Sequence, residues 1–149
     1  MPDGDVLICY DGSDHAKRAI AQAAALLSSD TACVVSVWQP TSSLPTFAWA
    51  GAGSAILDYA ALDAAAQSMA SQIADEGTEI ARQAGLDAQA ATACAKGPIW
   101  QAIVEFAEQR GAPVIVIGAR GLTGIRHMLL GSVSEGVTRQ ARRPTLVVR

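Results

Sequence analysis

Gly118, Gly121, Gly124 and Gly131 fall within one short stretch of the chain. The stretch follows the apolar run 113–117 (PVIVI) and leads into a helix-forming segment that begins near Ser132. Glycine allows a sharp backbone turn and lets the main chain approach a ligand with no Cβ in the way. The first N–H groups of a helix have no internal partner and carry partial positive charge. Gly131-Ser132-Val133 stands where that helix starts, so a phosphate fits there, and Ser132 adds a hydroxyl donor. The chemistry this spacing suggests is anion binding by backbone amides.

Asp11 belongs with this segment. It follows the apolar run 5–10 (DVLICY), which reads as a buried strand. In open parallel sheets, ligands bind outside the carboxyl ends of the strands, where the winding direction reverses. With strand order 3-2-1-4-5 the reversal falls between strands 1 and 4, and Asp11 and Gly118 flank one crevice. A carboxylate there is placed to accept from a ribose hydroxyl. Val37, at the end of strand 2, forms a far wall suited to an adenine ring. The segment contains no GxxxxGK[ST], no GxGxxG follows the first strand, and GxSxG does not occur. These absences set aside a Walker loop, a dinucleotide fingerprint and a serine-hydrolase elbow.

The rest of the chain must hold these residues at one edge. Ser13 or Asp14 can cap a helix over 14–28, with Ile20, Ala23, Ala24 and Leu27 on one face. Residues 31–38 (TACVVSVW) are β-branched and apolar, and Pro40 ends them. Residues 39–54 are rich in Pro, Ser and Gly and read as a long loop leaving strand 2 beside the site, with ligand and loop coupled. A helix runs from near Ser54 to Ala84, with Gly85 as its cap. The alanine-rich stretch 87–95 is a strand on the strength of its neighbours. Gly97-Pro98 opens a helix ending at Gly111, whose face is Ile99, Ala102, Ile103 and Phe106. Residues 144–148 (PTLVV) form the last strand. The alternation β-α-β-α-β-α-β-α-β predicts an α/β fold, a single five-stranded parallel sheet with helices on both faces.

Bulk properties narrow the function classes. The chain has 149 residues, half of them hydrophobic, which suits one domain over 1–149. A net charge of −3 argues against nucleic-acid binding, which needs a cationic face. Cys9, Cys33 and Cys94 show no CxxC spacing, so each is expected to be a small core residue, reduced in a cytosolic setting. The N-terminus is acidic where a signal peptide is basic, and no stretch is long and apolar enough to span a bilayer. A soluble, cytoplasmic location is expected, with no membrane partner.

Gly118-x-x-Gly121, nine residues, then Gly131-Ser132 resembles in full the nucleotide signature of the universal stress protein family. DGSDHAKRAI, KGPIWQAIVEFA and GSVSEGVTRQARRPTLVVR resemble other parts of the family, so the likeness covers nearly the whole chain. The resemblance implies a Rossmann-like fold of the adenine nucleotide alpha hydrolase-like kind and an ATP-binding, stress-response module. Carried onto this chain, it puts Asp11 on the ribose and Val37 on the adenine, with Cys9 and Tyr10 near the base. Ile117, Gly118, Arg120 and Gly121 line the ribose and phosphates. Gly131, Ser132, Val133 and Ser134 hold the phosphates. ATP, with or without Mg²⁺, is the implied cofactor, and a homodimer through residues 145–148 is the implied assembly. An exposed apolar edge strand gives dimerisation an independent reason.

Plainer readings stand beside these. Asp11 forms an Asx turn or caps the first helix. Arg120, Arg126 and His127 are phosphate ligands or solvated surface groups. His15 is expected to face solvent, and Trp38, Trp49 and Trp100 to pack or to form an interface. Arg139, Arg142 and Arg143 lie near a helix C-terminus, where cations suit the dipole. No general base is evident in the loop, so catalysis, if present, is at most slow ATP hydrolysis or nucleotide-dependent transfer. A partner-binding protein with a vestigial nucleotide site is the third reading.

Overall fold

Val6–Cys9 is a run of four buried residues and forms β1, the central strand. A strand covered on both faces needs apolar side chains at every position. The chain then turns through Gly12 at φ +84°, a conformation glycine adopts at little cost. Ser13 Oγ accepts from Ala16 N at 3.2 Å and caps α1 (Asp14–Leu26). Leu27 leaves the helix with ψ 138°, so α1 stops short of the expected residue 28.

The computed structural model describes residues 4–43, 58–122 and 129–149. Most of the expected loop 39–54, the expected helix start near Ser54, and Trp49, Gly124, Arg126 and His127 lie outside the described residues. β2 (Thr31–Trp38) leads into a short 3-10 turn, Thr41–Ser43. α2 (Tyr59–Gln83) is capped by Asp58, which accepts from Ala61 N at 3.1 Å. Then come β3 (Asp87–Cys94), α3 (Ile99–Arg110), β4 (Ile115–Gly118), α4 (Ser132–Gln140) and β5 (Thr145–Val148).

The sheet is five-stranded and parallel throughout, in the order β3-β2-β1-β4-β5 that the alternation predicts. Successive residues of β1 point to opposite faces. Val6, Ile8 and Tyr10 enter one core with Ala16, Ile20 and Ala23 of α1 and Ala81 of α2. Leu7 and Cys9 enter the other with Ile103 and Ala107 of α3 and Val137 of α4. Truncating a fully buried residue such as Ile8 to alanine would cost about 2–5 kcal/mol. The alanine-rich β3 forms a full ladder, Asp87–Cys94 against Thr31–Trp38.

One expectation about the cysteines fails. Cys9 and Cys33 are buried, but Cys94 is exposed. It is the last residue of β3, an edge strand, whereas β1 and β2 lie inside the sheet. Trp100 packs as expected: a Cβ on Gly136 would collide with its ring, so α3 and α4 meet closely there. Two arginines at and beyond the end of α4 have partners. Arg139 pairs with Glu135 at 3.2 Å, and Arg143 Nη1 donates to Ala112 O at 2.7 Å.

Candidate functional site

β1 and β4 are neighbours, and the connections leaving them run to opposite sides of the sheet. At their carboxyl ends lies a cavity of about 450 Å³. β1 and its exit supply Cys9, Tyr10 and Asp11, and β2 supplies Val37. β4 and the residues after it supply Ile117, Gly118, Arg120 and Gly121. The start of α4 supplies Gly131, Ser132, Val133 and Ser134. The twelve residues that the family resemblance assigns to the site therefore all border the same cavity, while Gly124, Arg126 and His127 lie outside the described residues. A parallel sheet explains this convergence, because it presents all its carboxyl ends along one edge.

Asp11 divides its carboxylate between two tasks. Oδ1 accepts from Ser13 N at 2.9 Å, an Asx turn that fixes the entry to α1. Oδ2 points to the glycine segment, 2.8 Å from where a Cβ on Gly121 would stand. The Asx-turn reading and the position beside the loop hold together.

The glycines differ in what requires them. A Cβ on Gly118 would lie 2.8 Å from both the carbonyl carbon and the Cβ of His15, so close packing of α1 on β4 demands glycine there. Gly131 has φ −74°, which any residue adopts. An added Cβ would find Ala119 O at 3.5 Å and Arg120 Cα at 3.6 Å, ordinary contacts. Among the described residues, neither backbone strain nor a close contact requires glycine at 131, where the chain faces the cavity.

The two ends of the glycine segment are tied together at Ala119. Its N–H donates to Val148 O at 2.6 Å. Its carbonyl accepts from Gly131 N at 2.7 Å and from Ser134 Oγ at 2.7 Å. The hydroxyl of Ser134 is buried and also lies 3.0 Å from Gly131 O. Ser134 therefore serves the fold with its side chain and can offer a ligand its main-chain N–H. No side chain caps α4, and its first turn-closing bond is Glu135 N to Gly131 O. The N–H groups of Ser132, Val133 and Ser134 thus have no acceptor within the helix, the arrangement that attracts an anion.

Tyr10 and Cys9 border the cavity as neutral groups. Tyr10 packs its ring against Gly77 and donates its hydroxyl to Glu76 Oε1 at 2.7 Å. Burial, then the bond to Glu76, then the charges of Glu76 and Asp11 raise its pKa. Burial pushes the Cys9 thiol up to about 12, with smaller contributions from Asp11 and Cys33.

Some residues of the cavity wall were not singled out in the sequence as site residues: Val35 on β2, Leu122 in the loop, and Ile99 and Ile103 on α3. The last two read as core positions. The signal that reveals them is connectivity, since a helix following a parallel strand begins at the ligand-binding edge of the sheet. His15 departs from its expected solvent-facing position. It is half-buried, and its Nε2 lies 3.4 Å from Arg120 Nη2. Among the described residues, no group of three His, Cys, Asp or Glu side chains is arranged to hold a metal ion. No described helix is long and apolar enough to cross a membrane.

The chain is similar to proteins built on the same plan. It is 33% identical over 149 residues to a universal stress protein of Thermus aquaticus, covering 97% of each chain. Against the universal stress protein YxiE of Bacillus subtilis it is 37% identical over 78 residues, 52% of this chain, and that match spans about half (51%) of the relative. Among solved structures, the Methanocaldococcus jannaschii protein MJ0577 superposes with a TM-score of 0.76 at 21% identity, over 99% of this chain and 96% of that one. A universal stress protein in complex with cAMP superposes with a TM-score of 0.65 at 25% identity, over 100% and 99%. The profile of the Universal stress protein family matches residues 4–149. With the sheet order, the site at its switch point and these matches in agreement, the chain belongs to the universal stress protein family.

Proposed function

We propose that the cavity binds an adenine nucleotide, ATP, and that the chain works as a stress-response module signalling by its nucleotide state. The cavity runs from an apolar part, with Val35, Val37, Ile99 and Ile103, to the amides at the start of α4. A purine suits the first and phosphates the second, and Asp11 Oδ2 is available between them for a ribose hydroxyl. The observation that carries the reading is Gly131, a glycine that packing among the described residues does not require, at the mouth of a helix with no side-chain cap. A solved relative's complex with cAMP supports an adenine nucleotide as the ligand class. The described residues offer no cation cluster of their own, so any Mg²⁺ would come with the triphosphate.

Two further parts of the proposal concern setting and assembly. The cysteines are all free, which suits a reducing cytosol. Among the described residues β5 pairs only with β4, which leaves its other edge for a second copy of the chain. Calorimetry on nucleotide-stripped protein with ATP, AMP, cyclic AMP and adenosine tests the central claim. Saturable heat with ATP is expected, and no heat with any of the four overturns it.

A further inference from the structure

From the sequence, His15 is expected to face solvent and Arg120 to be either a ligand or a surface group. The structure links them across Gly118. Because Gly118 has no side chain, the first turn of α1 lies directly against the end of β4, with His15 backbone and Cβ where a Cβ on residue 118 would intrude. Arg120 lies two residues beyond, and its Nη2 comes within 3.4 Å of His15 Nε2. Arginine has donors only, so His15 Nε2 must be the acceptor. The ring is then neutral and carries its hydrogen on Nδ1. That nitrogen is buried, with no hydrogen-bond partner among the described residues. Among the described residues the contact to Arg120 is thus the polar bond this imidazole makes, and it fixes which nitrogen bears the proton. Arg120 borders the cavity, and its Cα is 3.6 Å from where a Cβ on Gly131 would stand, next to the open start of α4.

We propose that His15 is a positioning residue for the anionic end of the ligand: its Nε2 lone pair holds the Arg120 side chain beside the start of α4, so phosphate affinity depends on a residue outside the cavity wall. The inference rests on the nucleotide reading above. Gly118 has a functional consequence on this account, since it lets α1 approach closely enough for the contact.

Calorimetry with ATP and adenosine on the wild type, His15→Ala, Arg120→Ala, the double variant and His15→Gln tests the proposal. Each single alanine variant should weaken ATP binding about three- to tenfold, as expected for one charge-assisted contact. Adenosine, which lacks phosphate, should bind within about twofold of wild type. The double variant should be no weaker than the weaker single variant, because both remove one device. His15→Gln, with a neutral acceptor oxygen, should recover most of what His15→Ala loses. Unchanged or tighter ATP binding in His15→Ala, equal losses for ATP and adenosine, or additive losses in the double variant would overturn the inference while leaving the nucleotide reading intact. No ATP binding by the wild type would sink the nucleotide reading and the inference with it. A second readout needs no ligand. Imidazole ¹⁵N spectra of the wild type, assigned by comparison with His15→Gln since the chain has only 2 histidines, should show the Nδ1–H tautomer at neutral pH. An Nε2–H tautomer or an imidazolium would overturn the contact itself, whatever the calorimetry gave.

Discussion

The free carboxylate oxygen of Asp11 and the α-carbon of Gly121 are so close that a methyl group on residue 121 would stand 2.8 Å from that oxygen. The other oxygen is held by Ser13 N at 2.9 Å, so the carboxylate cannot swing aside without releasing the Asx turn. The glycine loop and the turn after β1 are fitted to each other, and Asp11 cannot be displaced alone.

Replacing Gly121 with valine should therefore act on the ligand more than on the fold. The residue is exposed, its φ is not in the left-handed region, and among the described residues the only atom in the way is the end of a short side chain. The crowded carboxylate must give up its bond to Ser13 N, so a stability loss of about 0.5–1.5 kcal/mol is expected, the net value of one hydrogen bond. ATP affinity should fall by tenfold or more, about 1.4 kcal/mol or above. Calorimetry beside a thermal melt checks both. An intact melt with intact affinity would refute the role given to this contact.

Gly118 and Gly131 should give opposite results. Gly118→Ala sets a methyl group against the backbone of His15, and backbone cannot move aside cheaply. A loss of about 1–3 kcal/mol is expected, typical of overpacking. Gly131→Ala meets only ordinary contacts among the described residues at an unstrained φ, and the gain from a stiffer unfolded chain opposes alanine's poorer fit at a helix N-cap, so stability should stay within about 0.5 kcal/mol of wild type. Its ATP affinity should still fall, because the methyl group enters the space in front of the α4 amides. Urea midpoints together with calorimetry separate the glycine the fold needs from the one the ligand needs.

These contrasts bear on what the sequence can reveal. Continuous apolar runs such as Val6–Cys9 identify the inner strands, and the alternation with helices leads to the sheet order. The candidate residues converge because a parallel sheet brings all its carboxyl ends to one edge. Pairwise fit is harder to see. That His15 touches Arg120 depends on how closely α1 lies on β4, which Gly118 controls and no periodicity encodes. Ile99 and Ile103 satisfy the apolar pattern of α3 whether they face core or cavity, and pattern alone cannot distinguish the two. Cys94 continues the character of its strand and is exposed only because β3 lies at the edge.

Ser134 supports the loop from beneath. Its hydroxyl bonds to Ala119 O, the same carbonyl that receives Gly131 N, and Ala119 N reaches Val148 O on β5. Ser134→Ala removes one of two donors and leaves Gly131 N in place, so a loss of about 0.5–1.5 kcal/mol is expected, the net value of one hydrogen bond. The slack should appear in the loop as faster hydrogen exchange at Gly131 and a weaker grip on ATP. Exchange rates and affinity matching wild type would show that the hydroxyl is dispensable.

Cys9 makes stability depend on alkaline pH. Its folded pKa, about 12, lies above its ordinary value of 9.0, chiefly because burial disfavours the thiolate. A raised pKa on an acid means that the unfolded chain releases its proton first as pH rises. The stabilisation from keeping Cys9 neutral is therefore complete below about pH 9 and is lost progressively between pH 9 and 12. Tyr10 is shifted in the same direction from 10.0, so its contribution is lost over the upper part of that range and beyond. Urea midpoints measured from pH 8 to 11 should fall, and Cys9→Ala should flatten part of that fall while lowering the midpoint at pH 8 through lost packing. The same burial should make the folded protein react with a thiol reagent at pH 8 rapidly at the exposed Cys94 and not at Cys9 or Cys33, until denaturant opens the core. Rapid modification of Cys9 in the native protein, or a midpoint that does not change with pH up to 11, would contradict a buried thiol held neutral by its surroundings.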